Sequence, residues 1–121
     1  MDTTGKGRKG ETIAASYLEN DGYKVIKRNF RAYGGEIDIV AVKDDITAFV
    51  EVKYWDVFGF REMERTLDYR KKARILRASK GFLDRYPVFS RNSVRFDLLY
   101  LSDSGKQVEH VTDAFTETDY S

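Results

Sequence analysis

The chain has 121 residues, no cysteine and a formal net charge of +1. That length holds one domain with a modest core, and a hydrophobic content of 41% with 14% aromatics excludes a disordered chain. The lack of cysteine excludes disulfides and thiolate metal sites, and no apolar run reaches the length of a membrane span, so a cytoplasmic protein without a membrane partner is expected.

In chain order, residues about 6–21 carry a helical pattern closed by Asp21-Gly22, a plausible C-terminal stop. Tyr23–Phe30 reads as a strand. Glu36–Lys43 and Ile46–Lys53 alternate Ile and Val with polar residues around an Asp44-Asp45 break, the pattern of a β-hairpin entered through Gly34-Gly35. Residues 54–62 form an aromatic loop. A long helix spans about 63–85 and stops near Pro87, with Gly81 expected to weaken or kink it. Val94–Leu101 is a strand, Ser102–Gly105 a turn and Val108–Val111 a short last strand; Thr116–Ser121 is expected to fray. This order predicts an α/β fold with a mixed sheet flanked by helices.

The hairpin carries the chemistry. If its loop is symmetric about Asp44-Asp45, Asp38 falls opposite Glu51 and Glu36 opposite Lys53, and all four share a face with Val40 and Phe49. Ile37, Ile39, Val50 and Val52 then line the other face, so the strands are covered on both sides. Two carboxylates about 4 Å apart repel by roughly 4 kcal/mol at an effective dielectric of 20. A hard divalent cation such as Mg²⁺ relieves that repulsion through oxygen ligation. The competing reading is a solvated hairpin with Glu36–Lys53 as an ordinary cross-strand pair, and spacing alone does not separate the two.

Gly35-Glu-Ile-Asp-Ile-Val-Ala41 followed by Phe49-Val-Glu-Val-Lys53 resembles the PD-(D/E)XK nuclease core, with Asp38 as its aspartate and Glu51-Val-Lys53 as E-x-K. More narrowly, the chain resembles the YraN-like family, related in fold to archaeal Holliday-junction resolvases. Gly7–Ala14, Arg95–Leu98 and His110–Phe115 carry the match alongside the hairpin, and Trp55 stands where that family usually has arginine. The resemblance implies a restriction-endonuclease-like core and metal-dependent hydrolysis of phosphodiesters, with DNA as substrate and a homodimer as in the resolvase-like relatives. Asp38 and Glu51 would hold Mg²⁺ or Mn²⁺, with the Val52 carbonyl as a further oxygen ligand and Lys53 placing the attacking water. Glu36 would pair with Lys53 rather than bind metal. A glutamate on the first helix approaches the site in such proteins, which implies a metal-binding and catalytic role for Glu11, direct or through water. The alternative is a non-catalytic nucleic-acid-binding or accessory module that keeps the nuclease fold.

Charge distribution adds a surface. Arg70, Lys71, Lys72, Arg74, Arg77 and Lys80 follow one another without an acid, whereas Glu109–Ser121 carries acids and no Lys or Arg. Arg8, Arg70, Lys71, Lys72 and Arg74 are therefore assigned to nucleic-acid contact, against the simpler reading of a solvated helix face. His110, the single histidine, and Asp97 are read as structural. Tyr54, Trp55, Phe58 and Phe60 are ranked as a dimer contact or core cap ahead of base stacking.

Overall fold

The computed structural model describes residues 3–54, 69–102 and 106–116. Helix α1 (Thr3–Asn20) leads into strands β1 (Lys24–Ala32), β2 (Gly35–Lys43) and β3 (Ile46–Tyr54). Helix α2 (Tyr69–Arg85) and a 3-10 turn at Pro87–Arg91 precede β4 (Ser93–Ser102) and β5 (Gln107–Phe115). The five strands lie in the order β1-β2-β3-β4-β5, antiparallel except for the β3–β4 pair, which is parallel. This is the mixed sheet between helices expected of a restriction-endonuclease-like core. Parallel pairing of β3 with β4 requires a crossover, and α2 lies within it.

The helix stop falls where the sequence places it. Gly22 adopts φ +93°, Tyr23 N–H reaches the Leu18 carbonyl at 2.9 Å and Gly22 N–H that of Glu19 at 3.1 Å, a Schellman closure. The Asp44-Asp45 hairpin is symmetric as expected, with Lys43 paired to Ile46 and the ladder running to Ile39 opposite Val50. The last strand is longer than Val108–Val111, because β5 follows β4 from Ser102–Gln107 to Phe96–Phe115 across a bulge. The aromatic loop from Trp55 onward, the first turn of the expected long helix, the Asp103–Gly105 turn and Glu117–Ser121 lie outside the described residues.

Each face of the sheet has its own core. Ala14 and Leu18 of α1 pack on Ile39, Ala48, Val50, Leu99 and Leu101. On the other face, Ile75, Leu76 and Phe82 of α2 meet Phe30, Val40, Phe49, Phe96 and Phe115. Phe49 stacks on Phe96 at 5.7 Å and Phe96 on Phe115 at 5.0 Å, binding β3, β4 and β5 into one aromatic layer. Gly81 corrects one expectation. It neither kinks nor ends α2, which runs unbroken to Arg85. It is buried where a Cβ would come within 2.3 Å of the Ala32 Cβ, so its role is close helix–sheet contact.

Candidate metal and phosphate site

Alternation along β2 breaks at Asp38. Ile37 packs with Val40 and Phe49 on the α2 side, while Ile39 packs on the α1 side, so the expected common face of Ile37 and Ile39 is not formed. The left-handed Asn29 (φ 54°) in β1 is the neighbouring irregularity, since its flanks Arg28 and Phe30 pair with Ile39 and Ile37. The β2–β3 ladder closes at Ile39–Val50, and one step beyond it the Asp38 carboxylate accepts the Val52 N–H at 2.8 Å. A side-chain oxygen thus satisfies a main-chain donor of β3 that the opened ladder does not.

Asp38 and Glu51 come together as expected. Burial pushes the Asp38 carboxyl up to about 8, with the Glu51 and Glu11 charges adding to it and the Val52 N–H opposing them. Glu51 is 7% exposed. Its Oε1 receives two ammonium groups, Lys71 at 2.9 Å and Lys53 at 3.5 Å. Burial lowers the Lys53 ammonium, and contact with Lys71 lowers it further, against the pull of Glu51. Burial also works against charge on Lys71, but Glu51 and the hydrogen bond to Lys53 outweigh it and raise its pKa.

Glu36 is a second correction. It pairs with Arg31 across the β1–β2 hairpin at 3.6 Å, while Lys53 turns to Glu51. The register explains the exchange. Arg31 lies directly opposite Glu36, and the β2–β3 ladder ends before Glu36 could meet Lys53.

Glu11 is close enough to raise the Asp38 pKa, and its Oε1 is buried without a hydrogen-bond partner. Among the described residues no three His, Cys, Asp or Glu side chains form a metal-binding group, so Glu11 stands outside ligating contact with the Asp38–Glu51 pair. An orphaned carboxylate oxygen beside two half-buried or buried acids calls for a cation or an ordered water. The donor set, all carboxylate oxygen, suits Mg²⁺ or Mn²⁺.

The site opens into a cleft of about 630 Å³, bounded by Gly34 and Gly35, by the acids Glu36, Asp38 and Glu51, and by Arg31, Lys71 and Arg74. Of the basic run on α2, Lys71 and Arg74 face this cleft, as residues three apart on a helix do. Lys72 instead lies over the Phe115 ring at 5.7 Å, and Arg70 over Tyr69 at 5.8 Å. Their assigned contacts thus fall away from the cleft. The Arg8 side chain is outside the described set. Arg31 is a cleft residue the sequence reading missed, because it ended the first strand at Phe30. The signal was present: a Tyr33-Gly34 two-residue turn, both at positive φ, sets Ala32 against Gly35 and Arg31 against Glu36.

Asp97 is structural, as read from the sequence. It is fully buried and holds Arg95 through two 2.8 Å bonds, His110 Nε2 at 2.8 Å and the Asp113 N–H at 3.0 Å. Burial alone would raise its pKa, but His110 and Arg95 lower it.

A family model for the uncharacterised protein family UPF0102 matches residues 10–101, which include Glu11, the whole hairpin, Lys71 and Arg74. The chain belongs to the UPF0102 family. It is 38% identical over 109 residues to a UPF0102 protein of Granulibacter bethesdensis, covering 90% of this chain and 67% of that one. A Leptospira interrogans member is 34% identical over 91% of this chain and 94% of its own, and one from Geobacter sulfurreducens 38% over 90% and 87%. UPF0102 members thus share the segment that builds the cleft. No helix among the described residues is long and apolar enough to cross a membrane.

Proposed function

We propose that this UPF0102 protein is a divalent-metal-dependent nuclease of the PD-(D/E)XK type that hydrolyses phosphodiester bonds in DNA. The observation that carries this reading is the Asp38–Glu51 pair at the opened end of the β2–β3 ladder, with Lys53 beside it and cations across the cleft. Binding a cation would relieve the burial and the neighbouring acid that push the Asp38 carboxyl up to about 8, and perturbed carboxyls of this kind cluster at functional sites.

Asp38 and Glu51 would hold Mg²⁺ or Mn²⁺, and the orphaned Glu11 oxygen would contact it through water. The bound ion supplies Lewis acidity toward a phosphate oxygen and a lowered pKa for water. The chain's own groups do the rest. The Val52 N–H fixes the Asp38 carboxylate, Lys53 orients the attacking water and offsets charge developing on the phosphate, and Arg31 and Arg74 hold the backbone.

The test is calorimetric titration of Mg²⁺ and Mn²⁺ into wild type and Asp38→Asn, with cleavage assays on four-way, flapped and single-stranded DNA. Binding abolished in the variant together with metal-dependent cutting is the expected result. Metal-independent DNA binding without metal affinity or cutting would instead establish a non-catalytic nucleic-acid-binding module.

A further inference from the structure

Glu51 is already occupied by an ammonium from another element. The nearer cation is not the motif lysine on its own strand but Lys71 of α2, 2.9 Å from Oε1 against 3.5 Å for Lys53. Glu51 is buried, so the pair is poorly screened by solvent. A dication bound by Asp38 and Glu51 would sit within a few ångströms of that ammonium, where like charges repel strongly. The lysine stem is flexible and carries a point charge, so it can move without disturbing α2. The cleft it would move into is lined by Arg74, three residues along the same helix, and by Arg31.

We infer that Lys71 is an exchangeable counter-ion, neutralising Glu51 while no dication is bound and, once displaced by one, contacting the substrate phosphate beside Arg74. The inference rests on the metal-dependent reading above and deepens it, giving the substrate's phosphate backbone a third cationic partner. Metal and phosphate binding then strengthen each other through one side chain, because each removes a competitor of the other. Lys71 is a positioning residue in the first state and a substrate contact in the second.

The experiment compares wild type, Lys71→Met and Arg74→Met, each as the full chain. Mn²⁺ affinity by calorimetry is expected to tighten about ten-fold in Lys71→Met, equivalent to ~1.4 kcal/mol. Arg74→Met removes the same charge from the same cleft and controls for bulk electrostatics, with an expected change below about three-fold at an ionic strength of ~0.15 M. Polarisation of a fluorescein-labelled duplex, with and without Ca²⁺, reads the second half. Wild type binds more tightly with the ion, Lys71→Met loses most of that gain, and Arg74→Met weakens both states alike. Lys71→Met no tighter for Mn²⁺ than Arg74→Met, or retaining the full Ca²⁺ gain, overturns the inference and leaves the metal site standing. Absence of Mn²⁺ binding in wild type would overturn the metal-dependent reading itself, and this inference with it.

Discussion

The Val52 main-chain N–H points at Oδ2 of Asp38, 2.8 Å away, just past the last residue pair of the β2–β3 ladder. One carboxylate therefore does two things: it closes the opened end of a hairpin and faces a second acid. In metal-free protein the cost falls on Asp38, whose carboxyl lies at about 8 rather than near 3.8, chiefly through burial and then through Glu51.

The sign of the pH dependence follows. A carboxyl with a raised folded pKa contributes stability that is complete below its unfolded value near 3.8 and is lost as pH climbs through about 8. Chemical denaturation in EDTA should show wild type losing stability across that window, with Asp38→Asn flatter and more stable at the alkaline end by ~1–3 kcal/mol. Saturating Mn²⁺ should restore wild type but not the variant. Parallel pH profiles for the two proteins would show that Asp38 is not the strained group.

Lys53 separates binding from chemistry. It stands 3.5 Å from Glu51, beyond a good hydrogen bond, and competes for that oxygen less closely than Lys71. Lys53→Ala is expected to keep metal affinity within the same order of magnitude while cleavage falls by roughly 10²–10³-fold, the loss typical of removing one transition-state donor. Single-turnover cleavage at saturating metal measures it, and undiminished cutting would remove Lys53 from the mechanism.

Much of this was readable from spacing alone. Alternating Ile and Val around Asp44-Asp45 set the hairpin register and so brought Asp38 to Glu51. Two things escaped for physical reasons. Period-2 reasoning assumes an unbroken pleat, and the irregularity shared by Asn29 and Asp38 breaks it, turning Ile37 to the other core and Glu36 to Arg31. The run Arg70–Lys80 announced a basic face but not its rotation, and only packing of Ile75 and Leu76 decides that Lys71 and Arg74, rather than Arg70 and Lys72, meet the cleft.

Two glycines let α2 approach the sheet closely enough for that packing. A Cβ on Gly35 would lie 1.8 Å from the Arg74 carbonyl oxygen and 3.1 Å from the Ala78 nitrogen, all backbone, so α2 itself would have to move. Gly35→Ala should cost about 3 kcal/mol and widen the cleft. Gly81→Ala sets a helix-propensity gain of ~1 kcal/mol against overpacking of ~1–3 kcal/mol where its Cβ would meet that of Ala32 at 2.3 Å. Crowding wins, and adding Ala32→Gly should recover most of the loss. Urea unfolding of the single and double variants checks both; a neutral Gly81→Ala would mean the contact yields easily.

Asp97 provides the contrast with Asp38: the two acids lie on strands either side of β3, Asp38 half-buried beside another acid and Asp97 fully buried among cations. Asp97 is saturated by Arg95, His110 and the Asp113 N–H, and these hold its pKa below the ordinary value despite complete burial. A depressed carboxyl contributes stability present above its unfolded pKa and lost as pH falls through the folded one, the reverse of Asp38. Asp97→Ala leaves Arg95 and His110 without their shared acceptor and frees β5 at its bulge, so it should cost ~3–5 kcal/mol near neutral pH. The acid limb of the stability curve should flatten with it. Metal affinity should not change, because Tyr23 and Arg95 place this network on the α1 side of the sheet. Thermal unfolding from acid to neutral pH, paired with Mn²⁺ calorimetry, decides the matter: a variant that stays stable but loses metal would move Asp97 into the site.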